Sequence, residues 1–249
     1  MVKIALSGFG KMGHMVKDLA SSHDVEIVGI IDPYVQGVLD VISQESLNNA
    51  AVCIDFSSPD AVLQNCTKLA ENHLNIVIGT TGWEKDFQSV ASLTDRFGIG
   101  ILYGSNFSLG MNAFYRIIRY AAKLMNQIPE YDVYGYEMHH NQKKDSPSGT
   151  AKELSNILLA GIERKTRTQF EMVNRKIDED ELHFASIRAG FIPGTHMVGF
   201  DSNADTIELT HRVRNRTGLA LGALKGAMWL KDKKGLYKFS DVFEDILKQ

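Results

Sequence analysis

The chain has 249 residues, with 27 lysines and arginines against 30 aspartates and glutamates, a formal charge of −3, and 44% hydrophobic residues. At about 150 residues per domain, this length spans one to two domains with a sizeable core and excludes a small disulfide-stapled scaffold. The near-balance of charge gives no global pull toward nucleic acid or an anionic membrane, so any anion binding must be local.

Short apolar runs predict strands at Val2–Ser7, Val25–Ile31, Ala51–Phe56, Asn75–Ile78 and Gly98–Leu102, with helices near Met12–Ser21, Pro59–Asn72 and Glu84–Asp95 between them. The runs are continuously apolar, as in strands buried on both faces, and their alternation with helices implies a parallel, doubly wound sheet. Ser108–Met125 reads as a long helix, after which Tyr131–His139 alternates in strand fashion. Glu171–Val173, Phe184–Arg188, His196–Asp201 and Thr206–Val213 continue that pattern, with a hairpin turn at Asp201-Ser202-Asn203-Ala204. A run of strands after a βα series indicates a second domain of α+β type. Thr217–Lys231 and Gly235–Lys248 return to helical periodicity. The expected division is residues 1–107 with 215–249 as one domain, and 108–214 as an inserted second domain.

The two cysteines, Cys53 and Cys66, form no CxxC and lie near no His/Cys cluster, which suits small apolar core residues in a reducing compartment. No stretch approaches the roughly 18 apolar residues of a spanning helix. The start, from Met1 to Gly8, enters a strand pattern at once without signal-peptide architecture, so a cytoplasmic protein is expected.

Ligands bind doubly wound sheets beyond the carboxyl ends of the strands. After the first strand stands Gly8-Phe9-Gly10-Lys11-Met12-Gly13, a GxGxxG at a strand-to-helix junction. Gly8 would permit the tight turn, Gly10 the approach of a pyrophosphate, and Gly13 close helix packing. Asp32 closes the second strand about 20 residues on, where a carboxylate can accept from a ribose diol. Gly79-Thr80-Thr81-Gly82 and Gly104-Ser105-Asn106-Phe107-Ser108 follow two further strands and combine glycine with hydroxyl and amide groups, which suits a nicotinamide ribose and carboxamide. Ordinary βα turns are the alternative for either loop. Phe56-Ser57-Ser58-Pro59 is less specific, because Ser-Pro commonly starts a helix.

The densest polar segment runs from Tyr136 through Glu137-Met138-His139-His140-Asn141-Gln142-Lys143-Lys144-Asp145 to Ser146-Pro147-Ser148-Gly149-Thr150. Its end is a helix start, capped by Ser148 or by Thr150 with Glu153, whose free N–H groups can also hold a carboxylate. Adjacent strand residues point to opposite faces, so His139 and His140 make a poor metal pair and no metal is expected. A proton-transfer histidine beside Lys143 is more economical, with a solvated loop as the alternative. Arg188, His196, His211 and Arg212 are further anion-contact candidates without an assigned role.

Together these motifs resemble the 4-hydroxy-tetrahydrodipicolinate reductase (dihydrodipicolinate reductase) family of lysine and diaminopimelate synthesis, nearly end to end. The segments that carry the resemblance are Gly8–Gly13, Ile54-Asp55-Phe56-Ser57, Ile78–Gly82, Asn106-Phe107-Ser108, Glu137–His140 with Lys143 and Asp145, Pro147–Ala151, Ile187–Gly190 and Gly235-Leu236-Tyr237. The resemblance implies a Rossmann-like cofactor domain, an α+β domain with a mixed, largely open sheet that binds substrate and builds a homotetramer, and hinge closure between them. It further implies NADH or NADPH as cofactor and a small cyclic dicarboxylate as substrate. Carried over by position, His139 is the general acid/base and Lys143 the proton donor, while His140, Gly149 and Thr150 contact the dicarboxylate. Gly8, Phe9, Gly10, Lys11, Met12, Gly13, Asp32, Gly79, Thr80, Thr81, Gly104, Ser105, Asn106 and Phe107 hold the cofactor.

Two departures bear on cofactor choice: the first loop is one glycine shorter than in many members, and Pro33 stands where dual-cofactor members often have arginine. Asp32 favours the unphosphorylated ribose of NADH, whereas Lys11 can attract a 2′-phosphate, so NADPH use stays open. Another two-domain amino-acid dehydrogenase, of the aspartate or homoserine type, and a non-catalytic nicotinamide-binding sensor are the competing readings.

Overall fold

Ile4, Ala5 and Leu6 are wholly shielded from solvent, which places the first strand, β1 (Val2–Ser7), inside a sheet covered on both faces. The structure is a computed structural model and describes Met1–Lys248; Gln249, the last residue of the expected 215–249 segment, lies outside the described residues. After β1 come α1 (Lys11–Ala20), β2 (Val25–Ile31), α2 (Gln44–Leu47), β3 (Val52–Asp55), α3 (Val62–Glu71), β4 (Asn75–Ile78), α4 (Phe87–Phe97) and β5 (Gly100–Tyr103). The chain continues through α5 (Leu109–Met125), β6 (Asp132–His139), α6 (Gly149–Gly161), β7 (Arg167–Gln169), β8 (Glu181–Arg188), β9 (Thr195–Asp201) and β10 (Thr206–Arg212). It ends with α7 (Thr217–Leu230), β11 (Gly235–Lys238) and α8 (Phe239–Leu247).

Met1–Asn112 and the segment from Arg216 onward form one unit, and Ala113–Asn215 a second. The first holds a six-stranded parallel sheet in the order β11-β5-β4-β3-β1-β2. The chain runs outward from β1 to β2 and crosses back to β3 on the other side of β1, so the topological switch point lies at the carboxyl ends of β1 and β3. Both cysteines are buried and free in this core. Burial raises the pKa of each thiol, the charge of Asp55 adds to the rise, and both stay unreactive.

The second unit is a mixed five-stranded sheet in the order β10-β9-β6-β8-β7, in which β6 pairs parallel with β8 and antiparallel with β9. Along β6, Val133, Gly135, Glu137 and His139 are buried, whereas Tyr134, Tyr136 and Met138 on the other face are half-buried. This period of two sends Glu137 and His139 to the same side. The register then sets Glu137 opposite Ser186 on β8 and His196 on β9, and His139 opposite Arg188.

Three local readings are corrected. Gly235–Lys238 is a strand and not the first turn of a helix. Gly235 takes φ +108°, its amide donates to the Ile99 carbonyl at 2.9 Å, and Leu236 pairs with Ile101 on β5. Glu171–Val173 is not a strand: Met172 is 90% exposed, and the pairing segment is Arg167–Gln169, held by ion pairs from Arg167 to Glu181 at the start of β8 and to Asp178 and Asp180 just before it. The short helix α2 had no apolar period to announce it and rests on a reciprocal cap, with the Ser43 hydroxyl accepting from the Ser46 amide and the Ser46 hydroxyl from the Ser43 amide.

Candidate functional site

The loop after β1 is built for close approach. Gly8 has φ +91°, and a Cβ there would fall 2.4 Å from the Phe56 carbonyl oxygen; at Gly13 it would fall 2.4 Å from the Gly8 carbonyl oxygen. Gly10 is different. It has open space where its Cβ would stand, and it begins α1 with no side chain capping the helix. The Lys11, Met12 and Gly13 amides therefore open the helix toward that space, an arrangement that accepts a pyrophosphate. Both Asp32 oxygens take backbone amides, Phe9 on one at 2.7 Å and Tyr34 on the other at 2.9 Å, which orients the carboxylate and leaves a lone pair on each for a ribose hydroxyl. Lys11 lines a cavity of about 460 Å³ with His14, Met15, Asp18 and Arg216. This loop and helix start fit a dinucleotide.

Beneath the loop lies Asp55, which is fully buried. Its carboxylate accepts from the hydroxyls of Ser7 at 2.8 Å, Ser57 at 2.8 Å and Thr80 at 2.7 Å, and from the Asn65 amide at 3.0 Å. Asp55 thus joins the ends of β1, β3 and β4. Thr80 is consequently not the free hydroxyl its loop suggests, whereas Thr81 beside it is exposed and Gly79 abuts the Phe56 ring. Asn106 is also engaged, its side chain accepting from the Ser108 amide at 2.9 Å at the entry to α5. Phe9 and Phe107 are buried and offer only backbone, Phe107 packing at a tilt against Phe239 with ring centroids 4.6 Å apart. Ser105 is exposed, and Gly104 is packed close to Phe239.

In the second unit, His139 is 8% exposed, and its Nδ1 lies 3.1 Å from Oε2 of the fully buried Glu137, off the line of a straight hydrogen bond. The other oxygen, Oε1, accepts from the Ser148 amide at 2.9 Å, the Ser186 hydroxyl at 2.9 Å and the Arg188 guanidinium at 2.8 Å. His196 brings Nε2 to 3.5 Å from Oε2, and the two imidazoles meet edge to face. Burial alone would raise the Glu137 pKa; hydrogen bonds from His196, Ser148 and Arg188 override it and hold the carboxyl well below the usual range. Burial pulls His139 down to about 4; Glu137 opposes this, and His196, Lys143 and Arg188 add to the lowering. His139 is therefore neutral at pH 7. One nitrogen each of His139 and His196 and an oxygen of Glu137 lie within 4.8 Å of one another, but Arg188 already supplies the positive charge facing this carboxylate.

The loop beyond β6 folds back on the same cluster. Lys143 places its ammonium 2.6 Å from Asp145, and Arg188 also donates to the Asp145 carbonyl at 2.7 Å. His140 is half-buried, and its carbonyl accepts from the Lys143 amide. Ser148 caps α6 by accepting from the Ala151 amide at 3.1 Å, so the Gly149 and Thr150 amides of the first turn have no intrahelical acceptor. Gly149 faces open space, while the Thr150 hydroxyl is hydrogen-bonded with Tyr115, whose pKa burial pushes up to about 12.

Residues 2–107 match the family model described as dihydrodipicolinate reductase, N-terminus, and residues 110–243 match the corresponding C-terminus model. The chain belongs to the dihydrodipicolinate reductase family. It is 36% identical over 249 residues to the 4-hydroxy-tetrahydrodipicolinate reductase of Christiangramia forsetii, covering 99% of this chain and 100% of the relative. The enzyme of that name from Archaeoglobus fulgidus is 34% identical over 264 residues, covering 98% and 100%. A dipicolinate-bound dihydrodipicolinate reductase from Paenisporosarcina sp. TG-14 shares the fold with a TM-score of 0.75 at 22% identity, covering 97% of this chain and 99% of that one.

Family membership supports the α/β reading, and the two sheets match it in kind. The structure gathers His139, Lys143, Gly149 and Thr150 around one helix start in the second unit. Glu137 has no role assigned from sequence, although its i, i+2 spacing from His139 on an alternating strand is a signal that it shares the face. His196 and Arg188 carried no such signal, because only the pairing register of β6 with its two neighbours brings them to Glu137. Arg188 turns to Glu137 and the Asp145 carbonyl and is not a free anion contact.

Proposed function

We propose that the protein reduces 4-hydroxy-tetrahydrodipicolinate to tetrahydrodipicolinate with NADH or NADPH, releasing water, in lysine and diaminopimelate synthesis. The observation that carries this is the second-unit cluster: a neutral imidazole, a lysine ammonium and a helix start whose Gly149 and Thr150 amides have no intrahelical acceptor, on adjoining segments of one chain.

Bound nicotinamide supplies the hydride. The first loop and Asp32 hold the pyrophosphate and ribose, and the Gly149 and Thr150 amides, with His140, hold a substrate carboxylate. His139, neutral at pH 7, takes a ring proton at Nε2 while the hydroxyl leaves as water with a proton from Lys143. Asp145 orients Lys143 for that transfer. Once the ring has received the hydride, the His139 imidazolium returns its proton to the neighbouring carbon. The balance is one hydride and one proton added and one water lost.

NADH is the favoured cofactor because Asp32 is preset by two amides to meet ribose hydroxyls and would repel a 2′-phosphate. The same reading includes a cytoplasmic homotetramer built through the second unit, supported by the half-buried Tyr134, Tyr136 and Met138 face of its sheet; sedimentation should give four chains. Calorimetry with pyridine-2,6-dicarboxylate tests the site. A reductase should bind it after NADH, and a nicotinamide sensor or an aspartate- or homoserine-type dehydrogenase should not.

A further inference from the structure

We propose that Glu137 is the positioning residue of the proton-transfer site: it fixes His139 with Nδ1–H turned to its Oε2 and Nε2 free to work, and it steadies the imidazolium when that forms. The inference rests on the reductase reading for its kinetics and not for its geometry.

The two carboxylate oxygens have separate partners. Oε1 is saturated by the Ser148 amide, the Ser186 hydroxyl and the Arg188 guanidinium, three donors on three different segments of the unit. These fix the carboxylate plane. Oε2 lies between two imidazole nitrogens, His139 Nδ1 at 3.1 Å and His196 Nε2 at 3.5 Å, the latter also 3.4 Å from the Ser148 hydroxyl. His196 can serve this oxygen as a donor, but His139 Nδ1 is the nearer nitrogen, and without a proton it would set its lone pair against a carboxylate oxygen 3.1 Å away, so the proton belongs on Nδ1. Nε2 is then the bare nitrogen. It points to Gly194, where a Cβ would stand only 3.1 Å away, so glycine there leaves the working nitrogen unobstructed.

The same residue links the rest of the site. Through Ser148 it holds the amino end of α6, and through Arg188, which also grips the Asp145 carbonyl, it holds the loop that carries Lys143. The groups facing the pair are Arg188 from β8, His196 from β9 with His211 beyond it on β10, and Lys143 with Asp145 from the loop. Among these charges, Glu137 alone favours protonation of His139 directly. An anchor that merely stiffened the fold would not set which ring nitrogen of His139 carries the proton.

The test is Glu137→Gln in the full chain. The kcat should fall about 10- to 100-fold with the KM for NADH within about twofold, and the acid limb of the kcat profile should move to lower pH, because the one group that favours imidazolium has lost its charge. An acid limb that stays in place overturns the proposal. Nitrogen-15 NMR of the wild-type protein labelled at histidine gives an independent reading even where the variant does not fold. His139 should be the Nδ1–H tautomer at pH 7.5; an Nε2–H tautomer overturns the proposal. A wild-type protein without turnover would refute the reductase reading and leave the tautomer result standing.

Discussion

Asp55→Ala removes the carboxylate on which Ser7, Ser57, Asn65 and Thr80 converge. A hydrogen bond to a charged group contributes about 1.5–3 kcal/mol, and a buried donor left alone costs about 1–3 kcal/mol. Not all four are stranded. Asn65 retains the Ser7 and Ser57 oxygens as acceptors, and Ser57 lies near the surface of the loop. Ser7 is buried and loses its acceptor, and the buried Thr80 keeps only a long 3.5 Å contact with the Asp55 backbone carbonyl, so the expected loss of stability is about 3–5 kcal/mol. The same carboxylate orders the loops after β1, β3 and β4, and if about 1.4 kcal/mol of that ordering must be supplied on binding, NADH affinity falls about tenfold. Urea unfolding measures the first effect and fluorescence titration of NADH the second. An unfolding midpoint and a Kd both within error of wild type would refute the idea that Asp55 holds the cofactor loops.

Other outcomes follow from the same geometry. His139→Gln should lower kcat by about 10²- to 10⁴-fold with NADH binding retained, as measured by steady-state kinetics and titration. Gly10→Ala should leave stability unchanged and weaken NADH binding, because its Cβ meets only open space, whereas Gly13→Ala should destabilise the fold, its Cβ falling 2.4 Å from a carbonyl oxygen; calorimetric melting of both variants tests the contrast. Stability should fall as pH drops from about 6.5 toward 4. Burial depresses the folded-state pKa of His139 from 6.5 to about 4, so across that window the unfolded chain binds the extra proton. Glu137, depressed below its usual value, extends the loss below pH 4.5. Denaturant titrations across this range check both signs, and His139→Gln should flatten the upper part of the curve.

Much of the fold was legible because its signals are local. Runs rich in valine and isoleucine such as Val25–Ile31 and Asn75–Ile78 coincide with strands to the residue, since β-branched side chains pack well on a pleated sheet. Gly235–Lys248 misled because Leu236 and Tyr237 fit a helical period, while the force that makes them a strand is the free edge of β5 far away in sequence. The site divided the same way. Gly8, Gly10 and Gly13 are readable because their spacing at a strand-to-helix junction is local, although the Phe56 carbonyl that crowds Gly8 is not, and the cap at Ser148 is readable because capping is a matter of three residues. Thr80 looked available because nothing near it in sequence reveals that Asp55 engages its hydroxyl, whereas the bond from the Ser108 amide to Asn106 is a local turn that the Asn-Phe-Ser order already allows. The setting of His139 depends on Glu137, Ser186, Arg188 and His196, which come from three strands, and no spacing along the chain records their register.

The most direct test is turnover. With 4-hydroxy-tetrahydrodipicolinate generated in situ by its synthase, the purified protein should oxidise NADH and form tetrahydrodipicolinate, and His139→Gln should do so orders of magnitude more slowly. No oxidation of NADH or NADPH with that substrate, or oxidoreductase activity with aspartate or homoserine in its place, would contradict the account.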